Sequence, residues 1–450
     1  MNALLPSLFV CAALLAAKSA EAACARPTSA GGYGGIAYDT PAAHLDGPRV
    51  RVHYTLEGKH ALADAELVDG VPRGAKVVVE EVENALDAFA SLGFAPPPSD
   101  ISASCDGDGD ARYDIYLINF TAGDGQTVPE SCRGGSCASF ALAARDLKRR
   151  YGSSERGVRT VVVHELFHAV QFGITRELPP FWSEGTAQWA ADKVHPELTD
   201  LEGFLPTFFE APERPLDSQG AGAVGAWQYA TAIWPVFLDQ AFGAVKPILD
   251  AFANEDDFDK AAEVGLASRG SSLAEAFTQF GCWNAATGAR AAGDGYTQAA
   301  KYPQVTLDAV EGDTVDATLT GLSTRYFELT LEERTRLRVT ERDPERMQLR
   351  VLGFDGDTLP VANPKVLEDT LELDAGRYVL VLSSTTSAKR DNRVSVQLEP
   401  ISAEPTSTPA ADDGCTVHSS SPSSFLLFAL GLLWRASTRR RAPAAPKKVS

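Results

Sequence analysis

The length, composition and charge of this chain limit what it can do. Its 450 residues exceed one ordinary domain, so we expect two or three folded units. The 60 Asp and Glu residues outnumber the 41 Lys and Arg residues, which gives a formal net charge of -19 at pH 7. An acidic surface of this kind repels phosphate backbones and anionic headgroups, which argues against nucleic acid as a partner.

The N-terminus predicts export. Residues 4–17 are apolar and lead into the small-residue segment Ala20-Glu21-Ala22-Ala23, the pattern of a secretory signal peptide. We therefore predict a signal peptide over residues 1–22. Disulfides are expected in an oxidising compartment, and the spacing of the seven cysteines leaves their pairing open.

Residues 23–303 are predicted to form one domain of mixed helix and strand. Short β-type runs at 52–55 and 113–117 flank a helical stretch at 75–92. Between residues 155 and 281 the apolar residues recur at helical spacing, which predicts helices at 161–172, 187–194, 229–242 and 273–280.

The pattern changes after residue 303. Residues 304–400 alternate apolar and polar side chains between Gly, Asp and Asn turns, which predicts an all-β sandwich domain. Residues 401–424 are rich in Pro, Ser and Thr and are predicted to form a disordered linker. The expected fold class is therefore α+β.

The motif His164-Glu165-Leu166-Phe167-His168 lies inside the first of the predicted helices between residues 155 and 281. Side chains four positions apart lie one above the other on a helix, so the two imidazoles can converge on one metal ion. Glu165 then faces the attacking water rather than the metal. The alternative is that both histidines are ordinary core or surface residues.

A third metal ligand is expected from the next helix. A catalytic zinc site takes three protein ligands and leaves the fourth position for water. We predict that Ser183 caps a helix, that Glu184 lies in its first turn, and that this helix folds back against the first. His164, His168 and Glu184 then hold one catalytic Zn²⁺.

Two further residues are considered for catalysis. Glu165 is predicted to be the general base, and Tyr229 is our candidate donor to the oxyanion, with an ordinary core tyrosine as the alternative. For His195, which precedes Pro196 at the end of the Glu184 helix, capping or surface exposure is the favoured interpretation.

These segments resemble the gluzincin metalloproteases, and more closely a group of myxobacterial secreted metalloproteases with a His-Glu-x-Phe-His-Ala-x-Gln-Phe helix and a Glu-Gly-x-Ala segment. The resemblance covers about residues 51–303. It implies a zincin-like catalytic domain, a mixed sheet plus a helical zinc subdomain, with zinc on His164, His168 and Glu184. Many gluzincins place an Asp where this chain has Gln188, and an uncharged partner for a ligand histidine implies weaker zinc binding.

Residues outside this motif raise two more expectations. Residues 136–142 are the nearest β-like run before the metal helix, and substrate is predicted to add along them if they form a sheet edge rather than an interior strand. The acidic segment 106–110 is interpreted as a hydrogen-bonded turn. Related sequences carry a calcium-type loop where this chain has residues 64–72, and here that loop looks eroded, with structural Ca²⁺ as the alternative.

The C-terminal segment 425–450 combines a short apolar run with a basic end. The run is too short to span a bilayer as a helix, so it is a poor permanent membrane anchor. With Cys415 and the preceding spacer, it resembles the myxobacterial C-terminal sorting signals, which implies processing and retention at the cell surface. A disordered tail is the alternative.

The sequence thus predicts an exported, zinc-dependent endopeptidase that acts on protein or peptide substrates and is extracellular or held at the cell surface. Two other functions stay open: a catalytically silent surface or adhesion protein with a vestigial zinc site, and a zinc hydrolase of a non-peptide amide.

Overall fold

The computed structural model describes residues 25–29, 31–101, 110–120, 123–218 and 225–401. They belong to one compact unit, Met1–Ser402. The predicted signal peptide, the linker beyond residue 401, the C-terminal segment and most of the acidic segment 106–110 lie outside the described residues. Within the described ranges, no helix combines the length and apolar character needed to cross a membrane.

A five-stranded mixed sheet forms the N-terminal half. The elements of this half, in chain order, are β1 (Ala43–Asp46), β2 (Val50–Tyr54), β3 (Leu67–Val68), β4 (Val71–Pro72), α1 (Arg73–Ser91), β5 (Tyr113–Ile118), β6 (Gly125–Arg133) and β7 (Ser136–Ala144). The sheet order is β1-β2-β5-β7-β6, and β3 and β4 form a separate hairpin. The three middle strands run parallel, while β1 and β6 are antiparallel edges.

Both faces of this sheet are covered. Every residue of β5 is buried, as expected for a strand between two layers. Ile115 and Leu117 face the core shared with the helices, whereas Tyr116 and Ile118 face a smaller cluster that Tyr33 and Tyr38 help to cover. The N-terminal segment 31–38 therefore lies across the side of the sheet opposite the helices.

The position of β7 answers the question about the substrate strand. Residues 136–142 lie in β7, which pairs with β6 on one side and, from Ala141 onward, with β5 on the other, so that it is interior in the sheet order. The expectation of an edge strand at 136–142 is therefore wrong, and the alternative of an interior strand is correct. The hairpin partner β6 is the edge, and the disulfide Cys132–Cys137 joins the two strands near their turn.

Helices make up the middle of the chain. They are α2 (Leu147–Tyr151), α3 (Ser154–Gly157), a π-helical segment (Val158–Val162), α4 (Val163–Ile174), α5 (Pro180–Val194), α6 (Asp200–Phe209), α7 (Ala226–Ala230), α8 (Ile233–Phe242), α9 (Val245–Ala251), α10 (Phe258–Ala267) and α11 (Leu273–Ala285), with short 3₁₀ turns at Pro196–Leu198, Gly288–Arg290 and Ala299–Lys301. The predicted helix at 75–92 is confirmed as α1, and those at 161–172, 187–194 and 273–280 lie largely within α4, α5 and α11.

The predicted helix at 229–242 is interrupted. The α7 helix ends at Ala230 and α8 begins at Ile233. The hydroxyl of Thr231 donates to the carbonyls of Gln228 at 2.6 Å and Phe181 at 3.0 Å, and such bonds compete with the helical ladder. Pro235 has no N–H to donate, so a helix restarts with Pro235 in its first turn instead of continuing through it.

The C-terminal strands form two sheets. They are β8 (Asp308–Ala309), β9 (Thr314–Thr320), β10 (Ser323–Leu331), β11 (Thr335–Arg342), β12 (Met347–Gly353), β13 (Lys365–Val366), β14 (Thr370–Leu373), β15 (Gly376–Ser384) and β16 (Asp391–Pro400). Their orders are β13-β12-β15-β10-β8 and β14-β11-β16-β9, and apolar side chains from both sheets build one shared core. The structure thus confirms a mixed α and β protein.

One glycine allows the C-terminal sheets to contact the helices. A Cβ atom on Gly281 of α11 would lie 3.0 Å from the Ser383 hydroxyl and 3.1 Å from side-chain atoms of Thr324 and Val381. These strand residues belong to β10 and β15, so α11 packs directly on the first of the two sheets. The outer face of the second sheet is polar, as in β11, where Arg336 and Arg338 are exposed.

Arg26 ties the N-terminal segment to the first sheet. Its buried guanidinium donates to Asp114 and, at 2.5 Å and 2.6 Å, to Asp100 and Glu130. Glu130 lies on β6, so this one side chain links the N-terminal segment to the edge strand. Three buried carboxylates would repel one another strongly without the guanidinium charge between them, so the fold depends on this arginine.

We predict that Arg26→Ala lowers the free energy of unfolding by about 3–5 kcal/mol, because it leaves buried carboxylates without their cation. The measurement is the urea midpoint of the two purified proteins. Arg338→Ala, which breaks an exposed pair with Glu399 at 2.7 Å, is the matched control and should cost about 0–1 kcal/mol. Equal losses in both variants would contradict the role assigned to Arg26.

Candidate metal centre

Two adjacent helices bring the three predicted ligands together. The Nε2 atoms of His164 and His168, both on α4, are 3.1 Å apart. Glu184 on α5 places its Oε2 3.1 Å from the Nε2 of His164 and 3.5 Å from that of His168. All three side chains are buried, and their ligand atoms lie within 4.8 Å of one another, so they could hold one metal ion.

The start of α5 differs from the prediction. The prediction that Ser183 caps this helix is wrong, because the helix begins four residues earlier, with Pro179 at the N-cap position and Pro180 as the first residue. Proline suits that position because its fixed φ matches the helix and its missing N–H would have no partner there. Ser183 instead donates its hydroxyl to the side-chain oxygen of Gln171 at 3.0 Å.

The ligand carboxylate and imidazoles stabilise each other's charge. Burial lowers the pKa of His168, but the neighbouring Glu184 carboxylate outweighs this effect and raises that pKa to about 9. Burial raises the pKa of Glu184, but the two histidines hold it well below its usual range. The pocket therefore favours a positive charge between the three side chains, which a divalent cation would also supply.

Gln171 orients His168 from behind. Its amide nitrogen donates to the Ser183 carbonyl at 2.9 Å and to the Thr186 hydroxyl at 2.8 Å, which fixes the orientation of the amide. The amide oxygen then accepts from Nδ1 of His168 at 2.8 Å. The Nε2 of His168 is thus the nitrogen that faces Glu184, and it would offer its lone pair to a metal once its proton is displaced. Sequence reasoning missed this residue, although its spacing of three from His168 on one helix was a usable signal.

Gln188 connects the site to a buried carboxylate. Its amide nitrogen donates to Asp200 at 3.2 Å, and its side chain lines the same cavity as His164. Burial raises the pKa of Asp200, and the Gln188 bond and the nearby His164 oppose that rise. A carboxylate therefore lies near His164 even though residue 188 itself is uncharged.

Glu165 is held beside the edge strand. The Thr127 hydroxyl donates to the backbone carbonyl of Glu165 at 2.7 Å and to its carboxylate at 2.9 Å. A Cβ atom on Gly125 would lie 2.6 Å from Cγ of Glu165, so only glycine fits there. Both residues belong to β6, and sequence reasoning missed both because the contact joins segments distant in the chain.

One of the three predicted ligands, His164, lines a cavity that we call the metal cavity. Its walls are Asp124, Gly125, Thr160, Val161, His164, Glu165, Gln188 and Tyr229. The ring of Tyr229 lies 5.6 Å from that of His164 and stacks on Phe204 at 5.0 Å. Tyr229 is therefore both a packed core residue and part of the cavity wall.

The other candidates lie elsewhere. His195 follows the last residue of α5, with its ring nitrogens 3.2 Å from Glu81 and 3.3 Å from Glu197, and it does not line the metal cavity. In the segment 64–72, Asp69 pairs with Lys76 at 2.5 Å. Among the described residues, the group of His164, His168 and Glu184 is the one cluster suited to a metal.

Comparisons with known proteins identify no family. No protein-family model matches the chain, and no curated protein matches it. The structures similar to part of it include the periplasmic lysozyme inhibitor PliG of Salmonella Typhimurium, at 14% identity over 21% of this chain and 100% of that one with a TM-score of 0.18. A second similar structure is the mitogen of Yersinia pseudotuberculosis, at 11% identity over 21% of this chain and 89% of that one, with a TM-score of 0.17.

A third similar structure is the pre-peptidase C-terminal domain of a Bacillus anthracis collagenase, with 11% identity over 21% of this chain and 95% of that one and a TM-score of 0.16. TM-scores this low support no argument about fold or function. The case for a function therefore depends on the geometry of the site.

We predict that Gln171→Ala weakens zinc binding about 10–100-fold, because His168 loses the acceptor that orients it. Competition with a chelator of known affinity measures the dissociation constant directly. Gln171→Glu keeps an acceptor oxygen for His168 but loses the donors to Ser183 and Thr186, so its affinity should lie between those of the wild type and Gln171→Ala. Gln348→Ala, far along the chain in β12, is the neutral control. A dissociation constant unchanged in Gln171→Ala would show that Gln171 does not support the ligand.

Proposed function

We propose that this protein is an exported zinc-dependent endopeptidase, with a zincin-like catalytic domain followed by a β-sandwich. The observation that carries the proposal is the buried group of His164, His168 and Glu184, whose member His164 lines one cavity together with Glu165. A purely structural metal site has no use for a general base placed beside it.

The donor set suits zinc. Two imidazole nitrogens and one carboxylate oxygen are the three-ligand set of a catalytic zinc site, in which the fourth position would be left to water. When bound, zinc supplies a Lewis acid that polarises a carbonyl and lowers the pKa of water. Gln171 keeps His168 in the tautomer that such a site requires.

Glu165 is proposed to move the proton. Its carboxylate takes the proton of the attacking water and passes it to the leaving amine, so no covalent intermediate with the chain is needed. Thr127 fixes the carboxylate from the side of β6. Tyr229, in the cavity wall beside His164, is proposed to donate its hydroxyl to the oxyanion.

The edge strand β6 offers a place for an extended substrate. It ends the first sheet, and its residues Gly125 and Thr127 lie against Glu165. A peptide added alongside β6 would therefore pass the catalytic base. This feature supports a peptide substrate over a small non-peptide amide, which has no use for an exposed strand.

We predict that the purified full chain with zinc cleaves unfolded casein and that Glu165→Gln reduces cleavage by at least about 10²-fold, the lower end for general-base loss. Fragments are identified by mass spectrometry, and zinc content is measured in both proteins. Full zinc occupancy without cleavage in either protein would instead support the non-peptide hydrolase or the silent surface protein.

We also predict that Tyr229→Phe lowers kcat by about 10²–10³-fold with little change in KM, because the hydroxyl acts only in the transition state. The ring stays in place to pack on Phe204, so the variant should still fold. Steady-state kinetics on one cleaved peptide tests this. A kcat equal to that of the wild type would assign Tyr229 to the core alone.

A further inference from the structure

A second cavity adjoins the metal cavity. It has a volume of about 130 Å³, and Asp124 lines both cavities. Its wall contains three arginines and two aspartates, namely Asp124, Arg145, Asp146, Arg149 and Arg150. We call it the arginine cavity. It lies where β5 and β7 end and β6 begins, since Ala144 donates to the Asp124 carbonyl and Arg145 to the Ile118 carbonyl, at 2.8 and 2.7 Å.

Both aspartates of the arginine cavity already have partners. Asp124 accepts from the Arg150 guanidinium and, at 3.0 Å, from the Tyr151 hydroxyl. Asp146 accepts from the Arg149 backbone at 3.1 Å, and its other oxygen lies 3.7 Å from the Nε of the same arginine. Neither carboxylate is therefore left to neutralise the third arginine.

Arg145 is the arginine without an anionic partner. It donates one Nη to the Ala61 carbonyl at 2.5 Å. Its Nε is buried without a hydrogen bond, and within the described ranges the side chain has no salt bridge. Because the Nε is closed to solvent, a ligand in the cavity would meet the Nη atoms of this guanidinium, whose charge no carboxylate of the described residues neutralises.

We propose that the arginine cavity is a substrate subsite that binds a carboxylate through Arg145. This inference rests on the proposed peptidase function and adds a specificity to it. A guanidinium forms two parallel hydrogen bonds with a carboxylate, a geometry that an amide cannot reproduce. The carboxylate comes from an acidic side chain or from the C-terminus of the substrate.

The spacing places this subsite close to the cleaved bond. Gly125 lies against Glu165, and Asp124, the residue before it, borders the arginine cavity. Strand residues advance about 3.3 Å each, and side chains on one face repeat at roughly twice that distance. The bound carboxylate therefore belongs to a residue about one or two positions from the cleaved bond.

The test uses matched peptides that differ by Glu or Gln at each of the positions flanking one cleaved bond, each made with a free or an amidated C-terminus. For the wild type we expect kcat/KM about tenfold higher with the carboxylate at one position, mainly through KM. The ratio of kcat/KM for the carboxylate peptide to kcat/KM for its uncharged match should fall toward one in Arg145→Met and with rising salt. Arg145→Lys should keep part of this preference. Arg338→Met is the control.

A preference confined to free C-termini would assign the subsite to a terminal carboxylate, and one confined to Glu would assign it to a side chain. Equal ratios in the wild type and Arg145→Met would overturn the proposal. Binding of the same peptides to zinc-loaded Glu165→Gln, followed by fluorescence anisotropy, separates this failure from that of the proposed function. Tighter binding of the Glu peptide supports the subsite without turnover, and equal binding refutes it.

Discussion

The burial of one carboxylate between two imidazoles determines the arrangement of the helices around it. Glu184 lies in the protein interior, where an isolated charge is strongly destabilised unless it is paired. Its partners, His164 and His168, are on α4, so α5 must pack close to that helix along its first turns. Gly185 permits this packing on its other side, because a Cβ atom there would lie 3.2 Å from the Thr231 hydroxyl.

The parts of the site that follow from local spacing could be predicted from sequence. The pair His164 and His168 needs only the helical repeat, and a helix carrying Glu184 needs only a short return loop. The prediction that Ser183 caps α5 is wrong because Pro180 is also a favourable first residue of a helix. Residue preferences alone do not decide between a helix that starts at Pro180 and one that starts after Ser183. The bond from Ser183 to Gln171 depends on how α4 and α5 cross, which spacing does not specify.

The order of strands in the first sheet required tertiary information. The β6 and β7 segments both look like strands, and their pairing depends on a hairpin near Gly134 and Gly135, which both have positive φ. One signal for the edge was present: Pro129 lies within β6, and proline is tolerated in edge strands because it cannot donate to a ladder. Reading that signal would have separated the edge strand from the interior one.

The edge strand β6 connects every functional feature of this fold. At its start, Gly125 and Thr127 contact Glu165, and Asp124 just before it borders both cavities. Further along, Arg26 holds Glu130. A strand fixed in this way loses little conformational freedom when a peptide is added to it, so more of the interaction energy is available for binding. In the proposed peptidase, the rigidity of β6 would align the base, the metal and the arginine along one extended substrate.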